Sequence, residues 1–157
     1  MRMYRKLFVI HIALTTLISC GCNTSDPAKK DIDALQGTWE IVSAEKGGKD
    51  ITQECQDEGF KITFQGDAWI QDVKGYHFNT NKDSHIKIDA SKLPNEFDHI
   101  HTLTSTIAST YPGIYKLNGD TLTLCFDVDL KSRPTEFATA GSSGYFLVNL
   151  KRAKQIQ

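Results

Sequence analysis

"LNGDTLTLCFDV", Leu117 to Val128, decides the class of the fold. After Asn118-Gly119, the residues Leu122, Leu124 and Phe126 alternate with Thr121, Thr123 and Cys125. A period of two puts the apolar set on one face of a strand and the polar set on the other. Asn-Gly tolerates the positive φ of a type I′ turn, so the stretch is expected to close a hairpin. The same alternation recurs on either side. "FKITFQGD" sets Phe60, Ile62 and Phe64 against Lys61, Thr63 and Gln65, while "TWEIVSA" (38–44) and "GYFLVNLKR" (144–152) repeat the pattern. Turn signals separate these runs at Gly47-Gly48, Gly66-Asp67 and Gly141-Ser142-Ser143-Gly144. No segment carries a convincing helical period, although a short helix around Ile51 to Gln56 is compatible with the pattern. Eight or more short strands joined by tight turns suggest an all-β antiparallel barrel or sandwich.

The chain has 157 residues, 39% hydrophobic and 24% charged, which suits one globular domain rather than a disordered chain. Its start is different in kind. Arg2, Arg5 and Lys6 precede an apolar run from Leu7 to Ile18, and Ser19 and Cys20 follow. A basic start, a short apolar core and a small residue before the cut are the layout of an export signal. The run is shorter than the roughly 20 apolar residues that cross a bilayer. Leu17-Ile18-Ser19-Cys20 resembles the bacterial lipobox, and the resemblance implies that Cys20 becomes the first residue of the mature chain and carries a diacylglycerol thioether. Cys22 is a poorer candidate, with Ser19 at the position where an aliphatic residue is needed. A metal site at Cys20-Gly21-Cys22 would have only two ligands. The expected organisation is a signal peptide over 1–19, the lipidated Cys20 and a flexible tether over 20–34, the barrel domain over 35–152 and a tail over 153–157. A random coil of the tether's length would hold the domain on the order of 20 Å from the bilayer.

Removing residues 1–19 takes three of the 18 basic residues and none of the 19 acidic ones, leaving 15 against 19 and a net charge of −4. That balance argues against a nucleic-acid partner, which needs a basic face. It gives no electrostatic help on an anionic membrane, so acyl chains must hold the domain there. Cys22, Cys55 and Cys125 remain after Cys20 is assigned. Export permits disulfides, and Cys55–Cys125 is the candidate pair, but an odd count leaves one thiol over.

A family comes into view at Gly37-Thr38-Trp39. The lipocalin superfamily opens its first barrel strand with such a G-x-W, and there an Arg or Lys of the last strand packs over the indole. Arg152, at the end of "YFLVNLKR", is placed to do so for Trp39, as a structural barrel-closing pair. In order, "LQGTWEIVSAEKGGKDI", "FKITFQGD", "IKIDASKLPNEFDHI", "YPGIYKLNGDTLTLCF" and "RPTEF" resemble a family of uncharacterised lipocalin-like domains of planctomycete bacteria, over nearly all of Leu35 to Arg152. The resemblance implies a small up-and-down β-barrel, often exported, and transfers no catalytic residue. The chain departs from the family at Cys55 and in "FDHIHTLTSTIASTYPG".

His99 and His101 lie two apart on one strand face, a spacing that suits two metal ligands, with His77, His85 or Asp98 as a third. The competing reading is a solvated strand face; no HExxH or CxxC motif supports a metal, and no cofactor is expected. No serine can be matched to a base, and the G-x-S-x-G elbow is absent, so no catalytic group is assigned. Glu136 in "RPTEF" reads either as a binding lip or as one end of a salt link to Arg133 beside Pro134. Ile41, Phe60, Ile62, Phe64 and Tyr115 are expected to line a ligand site or to fill the core. The many aromatics favour filling and the superfamily resemblance favours a pocket. The expectation is a largely filled barrel with at most a small pocket.

The function expected from these readings is non-catalytic binding of a small apolar ligand by a lipoprotein anchored in the cell envelope, on its periplasmic or outer surface. An interaction or inhibitor module that meets another envelope protein is the alternative. Cys20→Ala is expected to abolish incorporation of labelled lipid and to leave the precursor uncut or the protein out of the membrane fraction. Unchanged labelling and fractionation would refute the anchor.

Overall fold

The computed structural model describes residues 26–74, 76–78, 83–104, 107–140 and 144–154, with the side chains of Tyr76–Phe78 and Leu103 set aside. These residues form strands β1 (Gly37–Lys46), β2 (Lys49–Asp50), β3 (Lys61–Gln65), β4 (Ala68–Val73), β5 (Tyr76–Phe78), β6 (Ser84–Asp89), β7 (Asn95–Thr104), β8 (Ile107–Asn118), β9 (Thr121–Asp127) and β10 (Tyr145–Arg152). Two helices, α1 (Pro27–Leu35) and α2 (Thr52–Asp57), complete the set. The export signal, Cys20, Cys22, the first part of the tether, the Gly141–Ser143 turn and the last three residues lie outside the described residues, as does the side chain of His77.

Each of β1, β3, β4, β6, β7, β8, β9 and β10 pairs with the next, and β10 pairs back to β1, so eight strands close an antiparallel up-and-down barrel of lipocalin-like form. β2 folds back on β1, and β5 on β4. Closure leaves the eight without a free sheet edge, which removes the hazard of edge-to-edge aggregation. It runs from Trp39 opposite Arg152 to Lys46 opposite Phe146, with a bulge between Ile41 and Ser43. The bulge turns Val42 outward, where it is exposed, and keeps both Ile41 and Ala44 buried. The narrowest seam is β4–β6, which share one registered pair, Ala68 with His85.

The period-2 reading holds in detail. Phe60, Ile62 and Phe64 join one core with Leu122, Leu124, Phe126, Val148 and Leu150. Turn chemistry is corrected at one place. Gly119 has φ +58°, but Asp120 is not in the left-handed region. The loop between Asn118 and Thr121 therefore has its one positive φ at the first central residue, the type II′ pattern rather than type I′. The type I′ pattern falls at Gly47-Gly48, both with positive φ, between paired Lys46 and Lys49.

A larger correction concerns the tether. Residues 27–35 are not a flexible coil but the helix α1. Asp26 caps it by accepting the N–H of Ala28 at 3.0 Å, and Pro27 opens it. Leu35 is buried and Ile32 packs on the core, while Tyr115 donates its hydroxyl to Asp31 at 2.6 Å. Burial, followed by the nearby Asp31, keeps that phenol protonated well above its ordinary range. The helix thus covers one end of the barrel.

Arg152 fixes that end. Its guanidinium lies 4.3 Å from the centre of the Trp39 ring, a contact of about 0.5–2 kcal/mol. The same group donates to the carbonyls of Gln36 at 2.5 Å and Ala34 at 2.8 Å, and to Asp120 at 2.9 Å. A cation among the last carbonyls of a helix is favoured by the helix dipole. Trp39 is fully buried and donates its indole N–H to Leu35 at 2.7 Å. Trp39→Ala is expected to cost about 3–5 kcal/mol of unfolding free energy in urea, as for large aromatic truncations in packed cores. A loss below about 1 kcal/mol would show that the indole is not the plug of this end.

Candidate functional site

Strand alternation fills the two halves of the barrel differently. Around Phe64, Phe97, Tyr115 and Leu124, near α1, the remaining void is about 10 Å3. At the other end lies an open cavity of about 780 Å3. The expected largely filled barrel is therefore half right. The aromatics pack solid only near α1 and line walls elsewhere.

Trp69 of β4 separates the halves, since it borders both the small void and the large cavity and is 2% exposed. One arc of cavity wall is wholly apolar. Phe126 and Phe146 sit 5.3 Å apart, and Phe60 lies 6.5 Å from Phe146. The other arc is a stack of three rings. The His99 imidazole lies 4.3 Å from Trp69 at 13° and 5.3 Å from Tyr111 at 24°. Ser84 Oγ and His99 Nε2 are 2.7 Å apart. His101, Asp83 and Gln71 continue the polar strip, and the exposed Lys46 and Glu58 border it. This mixture is what an orienting ligand site needs, apolar surface with a few placed polar groups.

Burial, helped by His101 and His85, pushes the His99 imidazole down to about 4. At neutral pH it is uncharged, with one ring N–H and one lone pair. A weak base of this kind stacked between two rings suits recognition better than proton abstraction near pH 7.

His99 and His101 share the inner face of β7, as their spacing predicts. Of the suggested third ligands, His77 has its side chain outside the described residues, and the other two do not join them. By alternation Asp98 and His85 fall on the outer face, and Asp98 pairs there with Arg133 at 2.6 Å. Among the described residues no three His, Cys, Asp or Glu groups are placed to hold a metal ion. The Cys55–Cys125 disulfide is also corrected, because both thiols are free and buried. Cys55 on α2 lines the cavity. Cys125 points out of β9, with its Sγ 3.7 Å from the Ala138 carbonyl, so the barrel wall separates them. Arg133 does not link to Glu136. It crosses to Glu96 and Asp98 and donates to the carbonyls of Phe97 and Gly113, both at 2.6 Å. Glu136 is exposed on this outer loop and is not part of the cavity lining.

Of the residues expected to line a site or fill the core, Phe60 borders the cavity, while Ile41, Ile62, Phe64 and Tyr115 are core. Trp39 and Arg152 belong to the covered end. Sequence reasoning missed Trp69, Ser84, Tyr111, Phe126 and Phe146 as a wall. Trp69 carried a signal in "AWIQDV", where it alternates in register with Gln71 and Val73.

The low basicity of His99 makes stability depend on pH. Its folded value, about 4, lies below the ordinary 6.5, so the unfolded chain binds the extra proton between them. The contribution is whole above pH 6.5, falls through the window and is flat below 4. The expected loss is on the order of 3 kcal/mol. Urea unfolding at several pH values is expected to show this slope, and His99→Phe to flatten it. An unchanged slope in His99→Phe would refute the buried neutral imidazole.

Compared with protein-family models, curated proteins and solved structures, the chain matches none of them.

Proposed function

We propose that this protein is an exported, lipid-anchored binding protein of the cell envelope that holds a small, mainly apolar molecule in its barrel without transforming it. The observation that carries this reading is the cavity of about 780 Å3 between two aromatic arcs. Its volume falls within the roughly 300–1,000 Å3 of small-molecule sites. A filled barrel acting only through its loops would not need such a space. Four large apolar side chains are exposed among the described residues, Val42, Leu93, Ile107 and Leu130, on separate elements. Scattered single residues of this kind are ordinary surface and do not favour a partner-docking face. The signal-like start and the lipobox-like setting of Cys20 support the envelope location.

Native mass spectrometry of the full chain, purified gently from its own host, is the test. An extra mass in simple stoichiometry, lost on denaturation, is expected. Val128→Trp, which places a large ring at the cavity wall, is expected to reduce that occupancy at least about ten-fold while circular dichroism stays unchanged. A bare protein mass from the native host would overturn the carrier reading.

A further inference from the structure

The polar and apolar parts of the cavity wall lie on different arcs of the barrel. β4, β6 and β7 are neighbours in the sheet, and they supply Gln71, Ser84, His99 and His101. β9, β10 and the start of β3 lie across the barrel, on both sides of the β10–β1 closure, and supply Phe126, Phe146 and Phe60. Alternation gives the direction of the polar set. Gln71 shares a face of β4 with Trp69, His101 shares one of β7 with His99, and the Trp69 and His99 rings stack on each other inside the barrel.

These polar groups are open to the cavity and keep bonding capacity. Among the described residues, Trp69 Nε1 is the one fully buried side-chain polar atom without a hydrogen-bond partner. That indole N–H is sealed, so no guest can meet it. The Gln71 amide, the His101 ring and the His99 nitrogen turned away from Ser84 make no hydrogen bond with a described residue either, yet none of them is fully buried. They therefore reach the cavity that they line.

Their chemistry suits hydroxyl groups. An amide both donates and accepts. Burial holds the His99 ring down to about 4, so at physiological pH its free nitrogen is a donor in one tautomer and an acceptor in the other. A hydroxyl, which donates and accepts, meets either. His99 and His101 are two residues apart on one strand, so polar positions recur about 6.6 Å along it. The phenylalanine arc opposite offers no partner, and a hydroxyl pressed against it would lose its bonds to water without replacement.

We infer that the guest is amphipathic across its width, with an apolar edge against Phe60, Phe126 and Phe146 and hydroxyl groups about 7 Å apart along the edge that meets Gln71, His99 and His101. This rests on the binding reading above and narrows its ligand class.

The test uses the full chain in phospholipid nanodiscs with labelled histidines, and empty nanodiscs to correct for partition into lipid. The probes are two isomers of one composition. In 2,7-dihydroxynaphthalene both hydroxyls lie on one long edge, about 7 Å apart and so close to the two-residue repeat of a strand. In 2,6-dihydroxynaphthalene they lie on opposite edges. The two differ little in the cost of leaving water, so their difference in affinity reports the arrangement of the wall. The 2,7 isomer is expected to bind about ten-fold more tightly. It is also expected to move the ring resonances of His99 and His101. Gln71→Leu and His101→Leu are each expected to reduce the preference at least about two-fold while circular dichroism stays unchanged. Equal affinity of the isomers for the unmodified chain, or a preference that survives both variants, would overturn the ligand class while the cavity reading stands. Tighter binding of the 2,6 isomer would overturn it as well. Failure of both isomers to bind up to about millimolar concentration would overturn the cavity reading itself.

Discussion

The closure of β1 on β10 at Trp39 and Arg152 is the constraint on which the rest of the barrel depends. It joins the two ends of the domain, and one guanidinium serves three purposes at that junction. It covers the indole, holds the last carbonyls of α1 and pairs with Asp120 on the β8–β9 turn. Without the closure, β1 and β10 would present long unpaired edges. With it, the end near α1 is fixed by hydrogen bonds and packing together, and α1 has a surface on which to dock. A short polar helix such as α1 is marginal by itself, so its order comes from Leu35, Ile32, Asp31 and the Arg152 clamp.

A second set of contacts braces the strands that carry the cavity wall. Arg133 reaches from the long connection after β9 to Glu96, Asp98 and two carbonyls, one on β7 and one on β8. Directly inside lies Gly113, where an added Cβ would come within 2.4 Å of Phe97 and 2.8 Å of the Cys125 carbonyl. Such distances are incompatible with any side chain unless the strands shift. Asp127 anchors the start of the same connection by accepting the N–H groups of Asp129, Lys131 and Ser132. These bonds hold its carboxyl below the ordinary range, against the opposing effect of burial. Thr139 closes the far side by donating to Glu45 and accepting from the Gly48 N–H. The connection therefore acts as an outer strap. Through Arg133 it braces β7 and β8 from outside, and with them His99 and Tyr111.

Much of the fold was legible because strand alternation is a local property. Leu122, Leu124 and Phe126, or Phe60, Ile62 and Phe64, state their faces within a few residues. Trp39 and Arg152 could be matched by parity and by the resemblance to lipocalin-like domains. The helix α1 was missed because only Ile32 and Leu35 of its nine residues pack inward, and its polar composition reads as a linker. The Asp26-Pro27 cap was the available sign. The cavity was not legible for a different reason. Alternation tells which side chains point inward but not how much space they leave, since volume depends on strand tilt and on which end each ring occupies. His99 shows the same limit. Its neighbours Trp69, Ser84 and Tyr111 come from three other strands, so its neutral, stacked state exists only once the barrel has closed.

Uneven filling is itself informative about energetics. A cavity of this size forgoes the dispersion contacts that packed side chains would make, and an unpaired buried indole N–H costs about 1–3 kcal/mol. Neither feature helps the empty barrel. Both are tolerated because the end near α1 supplies a compact core and a clamp that do not depend on the open end. Trp69 stands where the two regimes meet, with Phe64 and Phe97 packed against it as well as His99 and Phe126. Its ring is therefore held by the packed end as well as by the cavity wall.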